Sequence, residues 1–65
     1  MERIYSPVSG ETFVPYNDDV TLVIQPDGTC CFDKQVGDDT SWSIDYPSET
    51  DANDAFVSDE IEWLD

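Results

Sequence analysis

Residues 20–34 (V-T-L-V-I-Q-P-D-G-T-C-C-F-D-K) constrain the fold more than any other stretch of the chain. Two β-rich runs flank Pro26-Asp27-Gly28. Proline presets φ early in a turn, aspartate bonds the local backbone, and glycine accepts positive φ. The pattern predicts an antiparallel hairpin. Val20, Leu22 and Ile24 alternate onto one face, where Cys30 and Phe32 meet them across the ladder.

Shorter signals surround this hairpin. Arg3-Ile4-Tyr5 fits a short first strand, which Pro7 limits to an edge, and Ser9-Gly10 reads as a turn. Residues 11–16 (E-T-F-V-P-Y) read as extended, again at an edge because of Pro15, and Asn17-Asp18-Asp19 turns the chain into the central hairpin. Residues 35–40 (Q-V-G-D-D-T) read as a polar connection. Residues 41–46 (S-W-S-I-D-Y) alternate: Trp42, Ile44 and Tyr46 are assigned to one face, Ser41, Ser43 and Asp45 to a face in water.

Pro47 stops that strand, and Ser48 followed by Asp51 three residues on resembles a capping box. Helical patterning then covers residues 50–64. Ala52, Phe56, Val57, Ile61, Trp63 and Leu64 fall on a broad apolar half, and Asp51, Asp54, Ser58, Glu62 and Asp65 on an arc opposite. Residues 60–64 (E-I-E-W-L) also alternate as a strand would, and the helix is preferred. The expected fold is one α+β domain over residues 1–65: a three- to four-stranded antiparallel sheet with one C-terminal helix. Trp42 and Trp63 are expected in its core, because so small a domain needs large aromatics to bury enough area.

Charge dominates the composition. Sixteen acids against Arg3 and Lys34 leave a net charge of −14 on 65 residues. Two Trp, three Tyr and three Phe separate this chain from a disordered acidic tail. Crowded carboxylates are expected to repel one another, raising their folded-state pKa values and making stability rise as pH falls from neutral. The same charge disfavours direct binding to nucleic acid or to an anionic membrane and favours a strongly basic partner surface.

The cysteines are adjacent, Cys30-Cys31. Their Cα atoms stand about 3.8 Å apart, inside the roughly 4.4 Å minimum for ordinary disulfides. Two free thiols are expected, one buried and one partly exposed, with a reducing, cytoplasmic location. No signal peptide or long apolar run is visible.

Catalytic chemistry finds little support. The chain has no histidine, and a cysteine nucleophile would sit in an acidic field that raises its pKa. No phosphate loop or dinucleotide fingerprint is present, and no cofactor is expected. Asp18-Asp19 and Asp38-Asp39 are loop carboxylate pairs, but neither has EF-hand spacing, so solvated turn aspartates are preferred over a metal site.

The acids themselves are the candidate site. Asp51, Asp54, Glu62 and Asp65 are expected to form one row along the helix. Asp18, Asp19, Asp38, Asp39 and Asp45 can supply another on the sheet side. Carboxylates a helical turn apart are separated by about 5.4 Å, against one phosphate per about 3.4 Å along a duplex strand. In size, charge and lack of catalytic motifs the chain resembles the small acidic DNA-mimic inhibitors of phages and mobile elements. That class includes anti-CRISPR proteins, anti-restriction proteins and inhibitors of uracil-DNA glycosylase. The resemblance implies a protein that blocks the basic DNA-binding surface of a host protein, first of all a Cas effector near its PAM and target-DNA site, and a monomer is expected. The competing expectation is a small acidic structural or regulatory module without mimicry.

Overall fold

The computed structural model describes residues 2–64. Five strands, β1 (Ile4–Tyr5), β2 (Thr12–Pro15), β3 (Val20–Ile24), β4 (Cys30–Val36) and β5 (Asp39–Trp42), form one antiparallel meander in chain order. One helix, α1 (Glu49–Val57), follows. The α+β class and the helix after the sheet are as expected; the sheet has more strands.

The central hairpin forms on the predicted register, with Leu22 opposite Phe32 and Ile24 opposite Cys30. Gly28 N–H closes the turn onto the Gln25 carbonyl, and Asp27 Oδ1 accepts from both the amide and the hydroxyl of Thr29. Gly28 takes φ +95°, which glycine alone adopts at no steric cost. Pro15 lies past the two-residue β1, where β2 is itself the edge.

The extra strand comes from residues 35–40, expected as a loose connection. Instead β4 runs on to Val36 and turns tightly: Val36 pairs with Asp39 and Gln35 with Thr40. Gly37 carries a positive φ and Asp38 does not, the pattern of a glycine-first two-residue hairpin turn. Apart from Val36 the residues at this end are polar, and all are exposed, so no apolar alternation marked them. Backbone pairing does not require it.

The helix covers one face of the sheet. Val14, Val20, Leu22, Cys30, Phe32 and Ala52 form the buried core, flanked by Tyr16, Ile24, Tyr46, Phe56, Ile61 and Trp63. Phe32 is its centre. It meets Tyr16 and Tyr46 edge-on at centroid distances of 5.5 and 6.1 Å, and stacks on Phe56 at 6.1 Å.

The alternation assigned to residues 41–46 is overturned by a β-bulge. Ser43 N–H bonds the Phe32 carbonyl, yet Tyr46 pairs with Cys30. One residue, Cys31, separates the partners on β4, whereas Ile44 and Asp45 separate them on the other side. The extra residue reverses side-chain parity. Trp42 therefore lies on the face away from the helix, at 44% exposure, while Tyr46 stays on the helix side. Ser43, expected in water, is buried. Its Oγ accepts the Phe32 N–H at 2.8 Å, a ladder bond made by a side chain.

The helix begins as predicted. The Ser48 Oγ accepts from Asp51 N–H, and Glu49 and Asp51 lie in the first turn, where the helix dipole favours acids. It does not run to residue 64. It ends at Val57 in a Schellman motif: Asp59 N–H reaches the Phe56 carbonyl and Glu60 N–H the Ala55 carbonyl. The left-handed position of this motif is usually glycine; here it is Asp59, φ +55°. Beyond it the chain is extended, and Glu62 to Leu64 pair antiparallel with Trp42 to Ile44. The strand-like alternation of residues 60–64 was the better guide. Tertiary pairing on an open sheet edge outweighs a weak helical pattern with Asn53 and Glu60 on its apolar half.

Two variants test these devices. Ser43→Ala leaves the Phe32 amide buried without a partner and is expected to cost about 1–3 kcal/mol, seen as a lower urea midpoint at unchanged m. Asp59→Gly relieves the left-handed strain and is expected to add about 1 kcal/mol. Asp59→Asn, measured beside it, isolates the contribution of charge.

Candidate functional site: the acidic end of the sheet

In a meander the second and fourth connections fall at the same end of the sheet. Asn17-Asp18-Asp19 joins β2 to β3, and Gly37-Asp38 joins β4 to β5, so the two expected loop pairs are brought together. Asn17 holds the first turn: its Oδ1 accepts from the amides of Asp19 and Val20, both at 2.8 Å. Gln35 N–H donates to the Asp19 carbonyl and extends the β3–β4 ladder into this turn. Asp18, Asp19, Asp38 and Asp39 are all exposed. Neighbouring strands lie roughly 4.8 Å apart, so turns two strands apart are separated by about 10 Å. That falls between the roughly 6 Å and 12 Å widths of the duplex grooves.

Asp59 was not foreseen as part of this end. Its Schellman position lies beside Asn17, Val20, Lys34, Phe56, Ile61 and Trp63, around a cleft of about 560 Å³. No sequence signal marked it, because its place depends on where the helix stops. The helix has no basic residue in its last turn, so a fifth acid stands where the helix dipole disfavours one. Lys34 Nζ lies 5.7 Å from the centre of the Trp63 ring in this cleft, a cation–π distance.

The other expected acids are dispersed. Asp45 sits in the bulge at the opposite end of the sheet, where its Oδ1 accepts from Gln25 Nε2. Asp51 and Asp54 remain exposed on the helix, about 4.5 Å apart along its axis. Glu62 is not on the helix: it lies in the extended C-terminal segment, where its N–H bonds the Tyr46 hydroxyl. Asp65 lies outside the described residues. Of the described members of the expected helical row, Asp51 and Asp54 are on the helix and Glu62 is not.

Both cysteines are free thiols and both are buried, which corrects the expectation of one partly exposed. Cys30 enters the helix-side core and Cys31 faces the other way, with Gln25 Nε2 3.8 Å from its Sγ. Burial pushes both thiols up, and the neighbouring acids push the same way. Neither is an activated nucleophile. Among the described residues no three potential metal ligands gather at one point, and no helix is long and apolar enough to cross a membrane. Compared with family models, curated proteins and solved structures, the chain matches none.

Two aspartates titrate away from the ordinary range in opposite directions. Asp33, half-buried on β4, has its pKa raised, and the cause is burial rather than neighbouring charge. Asp27 has its pKa lowered by the hydrogen bonds from Thr29. A raised carboxylate binds more protons folded than unfolded, so its penalty at neutral pH is relieved as pH falls through the folded pKa. A lowered one stabilises above its unfolded pKa and loses that as pH falls through the folded pKa. Asp33→Asn is expected to raise the melting temperature at pH 7, with the gain shrinking as pH falls into the carboxylate range. Asp27→Asn is expected to lower it at pH 7, with the deficit vanishing in acid. Thermal melts of both variants from pH 7 to pH 3 check the two signs.

Proposed function

We propose that this protein binds a basic, nucleic-acid-binding surface of another protein and blocks it by presenting carboxylates in place of phosphates. The observation that carries the reading is the gathering of Asp18, Asp19, Asp38 and Asp39 on turns at one end of the sheet, with Asp59 lining the same cleft as the neighbouring Asn17. A net charge of −14 far exceeds the magnitude of about 2–8 that solubility requires of a small domain. Both cations are already engaged: Arg3 is paired with Glu49, and Lys34 lies over Trp63. The target proposed first is a Cas effector at its target-DNA site, which makes the protein an anti-CRISPR inhibitor. A restriction enzyme or uracil-DNA glycosylase is the nearest alternative. A regulatory module without mimicry is the other class, and the exposure of Trp42 is the observation that favours it.

The roles of the acids separate by mutation. Changing Asp18, Asp19, Asp38 and Asp39 together to asparagine is expected to slow association with the target at low salt by at least about tenfold, since steering contributes roughly 10–10³ to on-rates. Asp51→Asn with Asp54→Asn is expected to cost less. Parent protein and duplex DNA are expected to compete for the target, and binding to weaken as salt rises. Association kinetics and a DNA competition assay on each candidate target read these outcomes. Simultaneous binding of parent and DNA, or a folded four-asparagine variant that inhibits like the parent, would sink the mimicry reading.

A further inference from the structure

We propose that the sheet face turned away from the helix is the seat for a basic partner protein, with Trp42 as its apolar anchor. This rests on the reading of the protein as a binder of basic surfaces and adds which face makes the contact.

The register places Ile4, Phe13, Val23 and Cys31 in one row across four strands, and two of them, Val23 and Cys31, are buried. Trp42 sits opposite Asp33, diagonal to Cys31, and Leu64 N–H bonds the Trp42 carbonyl. Ile4, Trp42 and Leu64 are 52%, 44% and 67% exposed. The helix covers the other face. Trp42 points outward because of the bulge; strict alternation would place it with Tyr46, toward the helix.

Charge identifies the occupant. Both cations lie on the helix side: Arg3 is tied to Glu49 of α1, and Lys34 stands over Trp63 in the cleft beside Phe56. The face away from the helix carries acids instead. Asp33 stands opposite Trp42, and Asp45 is tied to the Gln25 that also reaches Cys31. An exposed Trp42 with Leu64 beside it and acids close by fits a surface on which an apolar pocket is bordered by Lys and Arg. A second copy of the chain is disfavoured, since two bodies of charge −14 would bring like-charged rims together. An anionic membrane is repelled for the same reason. Tryptophan is also the side chain most enriched among interface residues that dominate binding.

The test uses two defined probes: polylysine, and a peptide alternating lysine with leucine at the same total charge. Affinity is measured at low salt, and contacts are mapped by amide shifts of the isotope-labelled protein. The amphipathic peptide is expected to bind about tenfold tighter than polylysine, as about 1.4 kcal/mol of anchoring would give. It is expected to shift the amides of Asp33, Trp42 and Leu64. Trp42→Ser should lose that surplus while keeping its affinity for polylysine. Ile4→Ser, on the exposed edge strand, carries the same comparison if Trp42→Ser fails to fold.

Equal affinity for the two probes overturns the proposal, as do shifts confined to the helix and the acidic turns. Sedimentation showing a dimer that Trp42→Ser dissolves would assign the face to a second copy. Failure to bind either polycation removes the charge reading beneath; polylysine binding without a surplus removes only the assignment of the face.

Discussion

Phe32 is the contact through which the helix and the sheet hold each other. It is fully buried, it is the third of seven residues on the longest strand, and its ring touches aromatic side chains from the β2–β3 connection, from the segment before the helix, and from the helix itself. A chain of this size buries only roughly 60% of the surface its unfolded form exposes, and this one also works against its own charge. Aromatic rings remove the most area per residue ordered. Concentrating them at one point lets a single ring tie Tyr16, Tyr46 and Phe56 into one cluster. The short helix contributes little else: its buried residue is Ala52, and its outer face is acid.

The bulge after β5 serves that cluster. Tyr46 must face the helix to meet Phe32, and without the added residue Trp42 would share its face. Ser43 makes the irregularity tolerable, because its hydroxyl replaces the carbonyl that the bulge takes out of the ladder. A backbone donor that would otherwise be orphaned beneath the core is satisfied. The consequence reaches the surface, since the same parity change leaves a tryptophan exposed on the face away from the helix.

The distribution of charge follows from topology. A meander sends alternate connections to the same end, so two aspartate pairs separated by nearly twenty residues become neighbours in space. The few cations are spent inside the molecule's own contacts: Arg3 offsets an acid at the helix start, and Lys34 lies against an aromatic face. The outward field is left almost entirely negative. Steering by such a field acts at a distance, whereas an apolar anchor acts only on contact. An acidic end and a tryptophan-bearing face are therefore complementary properties of one binding protein.

The sequence by itself determined whatever four or five consecutive residues decide. Pro26 to Gly28 set the central turn, Asn17 to Asp19 set the preceding one, Ser48 with Asp51 set the helix start, and alternation in residues 20–24 set the register that Phe32 answers. These depend on dihedral preferences and side-chain-to-backbone bonds available before the chain is compact. The net charge, and with it the kind of partner surface that is attractive, was equally legible. Tertiary structure decided the rest. Nothing local distinguishes Asp59 from any other acid in a helical run; it became the stop because residues 62–64 could then pair with the open edge at 42–44. Nothing local tells Trp42 which face to take; an extra residue opposite Cys31 did. Nothing local joins Asp18 and Asp19 to Asp38 and Asp39, or separates them from Asp45; strand order did. In each case the deciding partner lies far along the chain, and the competing local choices differ by too little for residue preference alone to select among them.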